Sequence, residues 1–270
     1  MTQYAPSLSE YTHYPTIMNE KFENILRKMG KSPISQLTAY DYPTARMLDE
    51  AGVDMILVGD SLGMMVLGYP DTTHVTMQHM LHHAEGVVRG AKNALVVVDM
   101  PIHSFDTPEM ALENARLLMQ TGADAVKLEG GTAQESAIRA ITSAGIPLQA
   151  HIGLLPQKVK EEGGYHMKGK SDVEAEALRK DLEAVIRAGA FSVVIECTRH
   201  SVAAALTKIS SIPTIGIGSG HGTCHGEVCV FHDLVGGFPW FVPGFVTPGA
   251  NISGEISRAV NQWKCGLLLP

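Results

Sequence analysis

The chain lacks the features that would tie it to membranes, nucleic acid or an oxidising compartment. No stretch approaches the ~18 consecutive apolar residues that a spanning helix needs. Positive charge is scarce: 21 Lys and Arg stand against 28 Asp and Glu, a formal net charge of -7. Nucleic acid and anionic bilayers are both held by concentrated basic charge, so neither is an expected partner. Four cysteines, Cys197, Cys224, Cys229 and Cys265, are few for a disulfide framework. A chain of 270 residues can also bury a large core without staples. Cys224, His225, Cys229 and His232 lie close in sequence but without a C-x-x-C knuckle, which argues against zinc. The first thirty residues carry no basic segment followed by an apolar run, so no signal peptide is expected. These absences point to a soluble, cytoplasmic protein with a small, diffusible partner.

Short apolar runs recur between amphipathic stretches. They occupy Ser35–Ala39, Met55–Val58, Leu95–Val98, Ala125–Leu128, Pro147–Ala150, Ser192–Ile195 and Thr214–Ile217. Runs of this kind suit strands buried on both faces of a parallel sheet. Helical patterns lie at Pro43–Ala51, Thr76–Arg89, Pro108–Thr121, Thr132–Ala144, Val173–Ala188 and Ser201–Ile209, with a further N-terminal helix at Met18–Met29. Thr107 before Pro108 reads as a helix cap, and Gly122 and Gly189 as helix stops. Ala51-Gly52-Val53, Thr121-Gly122-Ala123 and Ala188-Gly189-Ala190 repeat one helix-to-strand turn. An eighth strand is expected near Gly237–Val242. With no linker and no low-complexity segment, the alternation predicts one domain over 1–270, a (β/α)8 TIM barrel with residues 1–30 as an N-terminal extension and helix.

Five of the apolar runs in succession stop at an informative residue: Asp60, Asp99, Glu129, His151 and Glu196. One acid after a strand is commonly a helix cap. Five in series are not explained that way, because ionised groups converging on a barrel mouth repel one another unless something compensates. The C-terminal ends of barrel strands are where catalytic residues sit. Asp60, Asp99 and Glu129 form a hard, oxygen-only donor set, which suits Mg²⁺ and not zinc. Lys127 and Glu129 are two apart, so their side chains leave the strand on one face. The Gly216–Gly220 segment reads as a tight turn, and His79, His82 and His83 as a partly exposed helix face.

At these positions the chain resembles the ketopantoate hydroxymethyltransferases. The matching segments are T-A-Y-D-Y at Thr38–Tyr42, L-V-G-D-S-L-G-M at Leu57–Met64, V-D-M-P at Val98–Pro101 and V-K-L-E-G-G at Val126–Gly131. H-I-G-L-x-P-Q at His151–Gln157, G-G-Y at Gly163–Tyr165 and I-E-C at Ile195–Cys197 complete the set. The resemblance implies a barrel of the phosphoenolpyruvate mutase/isocitrate lyase superfamily. It implies transfer of a one-carbon unit from 5,10-methylenetetrahydrofolate to 3-methyl-2-oxobutanoate, giving 2-dehydropantoate for pantothenate synthesis through a Mg²⁺-stabilised enolate. By the same pattern Asp60, Asp99 and Glu129 hold the metal, and Ser61 and Lys127 contact the substrate carboxylate. Asp60, Asp99 and His151 line the substrate pocket, and Glu196 is the acid–base residue. Large homo-oligomers, commonly decamers, are also implied. Two segments depart from the family pattern. His221–Glu227 carries His225 and Glu227 where Asp and Gln are usual, and Phe238–Pro248 carries Trp240 and prolines where a basic segment is usual. These changes bear on folate docking, loop closure and oligomer contacts. They leave room for a diverged metal-dependent aldolase or lyase acting on another α-keto acid.

Overall fold

The computed structural model describes residues 20–267. Eight parallel strands close into a barrel in sequence order. They are Ile34–Thr38 (β1), Met55–Val58 (β2), Leu95–Asp99 (β3), Ala125–Glu129 (β4), Leu148–Gly153 (β5), Ser192–Glu196 (β6), Thr214–Ile217 (β7) and Gly226–Cys229 (β8). Closure is made by β1 pairing with β8, Ile34 opposite Gly226. Residues β2 to β6 are buried along almost their whole length, as the continuous apolar runs require of strands covered on both faces. The (β/α)8 TIM barrel expected from the alternation is therefore the observed architecture.

Helices at Tyr42–Glu50 (numbered α2, after the N-terminal α1, Glu20–Lys28), Leu62–Met65 (α3), Met77–Gly90 (α4), Pro108–Met119 (α5), Glu135–Ser143 (α6), Asp172–Arg187 (α7) and His200–Ile209 (α8) connect the strands. The start and stop signals act as expected. The Thr107 hydroxyl accepts from Met110 N at the start of α5, with Pro108 at the first helical position. Gly52, Gly122 and Gly189, in the three repeated turns, have φ of +78°, +92° and +91°, a conformation that costs little only to a residue without Cβ. Thr132–Ala144 is not one helix: a 3-10 turn at Thr132–Gln134 precedes α6.

The barrel interior is layered. Gln36, Gln149 and Ser192 form a buried polar layer, with Gln36 donating to Gln149 at 3.1 Å and Gln149 to Ser192 at 3.1 Å. Beneath it, apolar residues including Met55, Leu95, Val97, Ala125 and Ile215 meet Phe22 and Ile25 of α1. Helix α1 thus closes the N-terminal end of the barrel. Phe22 packs edge-on to Phe191 at 5.1 Å, and Lys21 and Lys28 pair with Asp124 and Asp54 at 2.9 and 2.6 Å. The first two residues of the expected Met18–Met29 helix lie outside the described residues.

The eighth strand is not at Gly237–Val242 but at Gly226–Cys229, beginning at the end of the His221–Glu227 segment read as a divergent loop. Proline has no N–H for a ladder, and Pro239 and Pro243 bracket a segment that is strongly exposed, with Trp240 at 81%. Gly226 is instead the residue that fits the seam, since a Cβ there would come 2.2 Å from the Ile34 carbonyl oxygen. After β8 come a short helix, Phe231–Leu234 (α9), and a long one, Ile252–Gly266 (α10), that the helical patterns did not mark. The start of α10 is tied to the end of α9 through Ile252 N to Val235 O (3.0 Å) and Ser253 N to Gly236 O (3.1 Å). No residue of α10 is buried.

Candidate active site

The parallel register brings the strand-end residues together. Asp99 is level with Lys127, Glu129 with His151, and Gly153 with Glu196. Residues on one level of a sheet share a face, so these side chains converge inside the barrel mouth. Asp60 follows β2 by two residues and is 5% exposed. A continuous series of contacts links the set. Glu196 Oε2 lies 3.1 Å from His151 Nε2, and His151 Nδ1 lies 3.5 Å from Glu129 Oε1. Gln157 N donates to Glu129 Oε2 at 3.1 Å, and its amide Nε2 donates to Asp60 Oδ2 at 2.9 Å. Asp60 N donates to Asp99 Oδ2 at 3.0 Å, and Lys127 Nζ donates to Asp99 Oδ1 at 2.6 Å. Every sequence-predicted residue except Ser61 lies in this series. Ser61 is held from the other side, its Oγ 2.8 Å from the Tyr40 hydroxyl.

The His151 contacts are charge contacts and not aligned hydrogen bonds, since neither ring nitrogen has a well-angled partner among the described residues. Burial opposes the imidazolium, as does Lys127. The carboxylates of Glu129 and Glu196 outweigh both and push His151 up to about 9. Burial also opposes the Lys127 ammonium, but Asp99, Glu129 and Asp60 raise it above the ordinary lysine range. Asp60 is raised well above an ordinary carboxyl, first by burial and then by the neighbouring charges of Asp99 and Glu129. Burial likewise opposes the Glu129 carboxylate, yet His151, Lys127 and the Gln157 amide hold it below the usual range. Ionisation is thus disfavoured at Asp60 when no cation is near.

A divalent cation would relieve that repulsion, and the donors around Asp60 are all oxygens, as hard cations require. In this arrangement the same oxygens are turned to Lys127, Gln157 and the Asp60 amide, and no three acidic, His or Cys side chains among the described residues close on a metal position. The chemistry of the donor set fits Mg²⁺, and binding would require the Lys127 and Gln157 contacts to be shared or exchanged.

Gln157 and Tyr40 are the residues that strand-end reasoning passed over. Both are neutral and neither ends a strand, yet both stand in the segments His151–Gln157 and Thr38–Tyr42 singled out from the sequence. Cys197, immediately after Glu196, adopts φ +44°, a left-handed conformation rarely taken by a residue with a side chain. There the chain turns away from the mouth: Cys197 N donates to Ile217 O, and Cys197 O accepts from Lys168 N. Gly216 and Ile217 of the expected Gly216–Gly220 turn belong to β7, and the chain bends only from Gly218, with Ser219 Oγ accepting from Thr198 N (3.1 Å) and donating to Ile195 O (2.8 Å).

The sequence profile described as Ketopantoate hydroxymethyltransferase matches residues 20–266. The 3-methyl-2-oxobutanoate hydroxymethyltransferase of Syntrophus aciditrophicus is 48% identical over 240 residues, covering 88% of each chain. The enzyme of the same name from Acetivibrio thermocellus is 49% identical over 252 residues, covering 91% of this chain and 88% of its own. Among solved structures, 2,3-dimethylmalate lyase, a PEP mutase/isocitrate lyase superfamily member, superposes with a TM-score of 0.58 at 17% identity, over 90% of this chain and 100% of the lyase. Phosphonopyruvate hydrolase gives a TM-score of 0.60 at 13% identity, over 80% and 81% of the two chains. The structural likeness speaks to the fold, and the sequence likeness to more than the fold: this chain belongs to the ketopantoate hydroxymethyltransferase family.

Proposed function

We propose that the protein is a hydroxymethyltransferase acting as one domain over 1–270. It moves a one-carbon unit from 5,10-methylenetetrahydrofolate to 3-methyl-2-oxobutanoate, with one water supplying the hydroxyl oxygen, and yields 2-dehydropantoate for pantothenate synthesis. The observation that carries this reading is the unbroken contact series from Glu196 to Lys127 across the barrel mouth. It supports a reading with a base, Glu196, at one end and a fixed cation, Lys127, at the other.

Asp60, Asp99 and Glu129 would hold one Mg²⁺. Bound there, the ion would supply a Lewis acid that eases removal of a proton beside the keto group. Lys127 offers its ammonium to the substrate carboxylate, sharing it with Asp99. Ser61 contributes a hydroxyl to the same carboxylate. Asp60, Asp99 and His151 form the floor and wall of the substrate pocket. Glu196 is the most accessible acid of the series, its side chain 15% exposed against 4–5% for Glu129 and Asp99, so it can reach the C3 proton. His151 orients it from 3.1 Å. Glu196 takes that proton, and C3 bonds to the methylene carbon as one of its two carbon–nitrogen bonds breaks. Water adds its hydroxyl to the same carbon as the second carbon–nitrogen bond breaks, and the two folate nitrogens receive the proton from C3 and the remaining proton of the water.

No helix among the described residues is long and apolar enough to cross a membrane. All four cysteines are free, which supports a reducing, cytoplasmic setting. A homo-oligomer, a decamer by the family resemblance, is the expected assembly, and α10, a long helix with no buried residue, supports association of copies.

The test is exchange of the C3 hydrogen of 3-methyl-2-oxobutanoate for deuterium, with and without Mg²⁺ and the folate. Glu196→Gln should retain keto-acid binding and slow exchange by about 10²–10⁴-fold, the usual contribution of a general base. Wild-type exchange in that variant would remove Glu196 from the role. Efficient product formation from free aldehyde, with the folate inert, would replace the transferase with an aldolase.

A further inference from the structure

Behind the mouth, on the flank away from Glu196, three hydroxyl groups lie in series. The Phe231 backbone N–H donates to Thr38 Oγ1 at 3.0 Å. The Thr38 hydroxyl in turn faces that of Tyr40, and Tyr40 Oη lies 2.8 Å from Ser61 Oγ. Thr38 and Tyr40 are two residues apart along extended chain, so both side chains leave it on the inner face. Tyr40 is pinned on every side. It is 2% exposed, its ring stacks on His232 at 5.5 Å and 21°, and its carbonyl oxygen accepts from His83 Nδ1 at 2.6 Å.

The series has a direction. A backbone N–H can only donate, so Thr38 Oγ1 accepts at the Phe231 end and its own hydrogen is left for Tyr40. A phenol is a stronger donor than an aliphatic hydroxyl, and Tyr40 has one hydrogen, which Ser61 Oγ is placed to accept. A serine that accepts in this way has its own hydrogen free, and hydrogen bonds in series polarise one another. Space for the Ser61 hydroxyl is kept by Gly59, where a Cβ would come 2.7 Å from Ser61 Oγ. We infer that Tyr40 is a positioning residue that donates to Ser61 Oγ, so that Ser61 presents its hydrogen to the carboxylate of the keto acid. This rests on the proposed contact between Ser61 and that carboxylate.

The experiment compares Tyr40→Phe, Ser61→Ala and the double variant, each loaded with Mg²⁺, by KM for 3-methyl-2-oxobutanoate and by kcat. Tyr40→Phe keeps the ring and its stacking on His232 and removes the hydroxyl alone. Ser61→Ala should raise KM about tenfold or more, as loss of a hydrogen bond to a charged group does. Tyr40→Phe should raise it about three- to tenfold with kcat within about twofold. The double variant should match Ser61→Ala, because neighbours acting through one group are not additive. If Ser61→Ala raises KM while Tyr40→Phe does not, or if the two effects multiply, the inference is overturned and the Ser61 contact stands. If Ser61→Ala leaves KM at the wild-type value, the contact itself is wrong. Thr38→Val interrupts the same series one hydroxyl earlier and should shift KM in the same direction. It decides the matter should Tyr40→Phe fold poorly.

Discussion

His151 sits between two carboxylates, and its protonation ties the site to the stability of the fold. With no cation bound, the imidazolium is held up to about 9 against Glu129 and Glu196, whereas an unfolded histidine titrates near 6.5. A base raised on folding contributes stability that is fully present below the unfolded value and is lost as pH climbs through the folded one. In chelator-treated protein, thermal stability should therefore fall between about pH 6.5 and 9, and His151→Gln should flatten that part of the curve. Equal slopes for the two proteins would show that His151 is neutral in the fold. Both ring nitrogens of His151 face acids, so the ring bridges the proposed base to the proposed metal set.

At the scale of elements, helix α1 is the plug that lets the site stay open at the other end. Phe22 is fully buried against Phe191 and the lower barrel layer. Phe22→Ala should cost about 3–5 kcal/mol of unfolding free energy in urea titrations followed by circular dichroism, the usual range for a buried aromatic. A loss under about 1 kcal/mol would mean that α1 is not part of the cooperative core. Strands β2 to β7 were legible because each is a short, mainly apolar run, and the turns because glycine stands where φ is positive. Strand β8 was not legible: Gly226–Cys229 has one β-branched residue, and its place is set by how closely β1 approaches, a tertiary condition. The proline-bracketed aromatic segment drew the expectation instead, since apolar content without usable N–H groups resembles a strand only in composition. Within the site, charged strand ends stood out in the sequence. Gln157 and Tyr40 did not, because a neutral residue acquires its role only from the groups the fold sets beside it.

The barrel as a whole is unevenly covered. Strand β1 leaves Ser35 exposed and Leu37 half-buried, and β8 does the same with Glu227 and Cys229 half-buried, while the outward residues of β2, β3 and β4 are all buried. The wall between β1 and β8 forms a groove of ≈ 740 Å³ that includes Leu37, Cys224, Cys229 and Leu234. Among the described residues no helix lies between β7 and β8, and α10, the long helix after β8, does not cover the wall. Its residues Ile252, Ile256, Val260 and Trp263, with Leu267 just past its end, fall on one stripe at helical spacing, all exposed. One chain thus carries both an uncovered wall and an unused apolar helix face, the two halves of a contact that copies of the chain can make with each other. Ile256→Asp combined with Val260→Asp should shift the protein to a smaller species in sedimentation velocity at micromolar concentration. Its far-UV circular dichroism should be unchanged, because neither side chain supports the fold of its own chain. A sedimentation profile identical to the wild type would show that α10 takes no part in assembly.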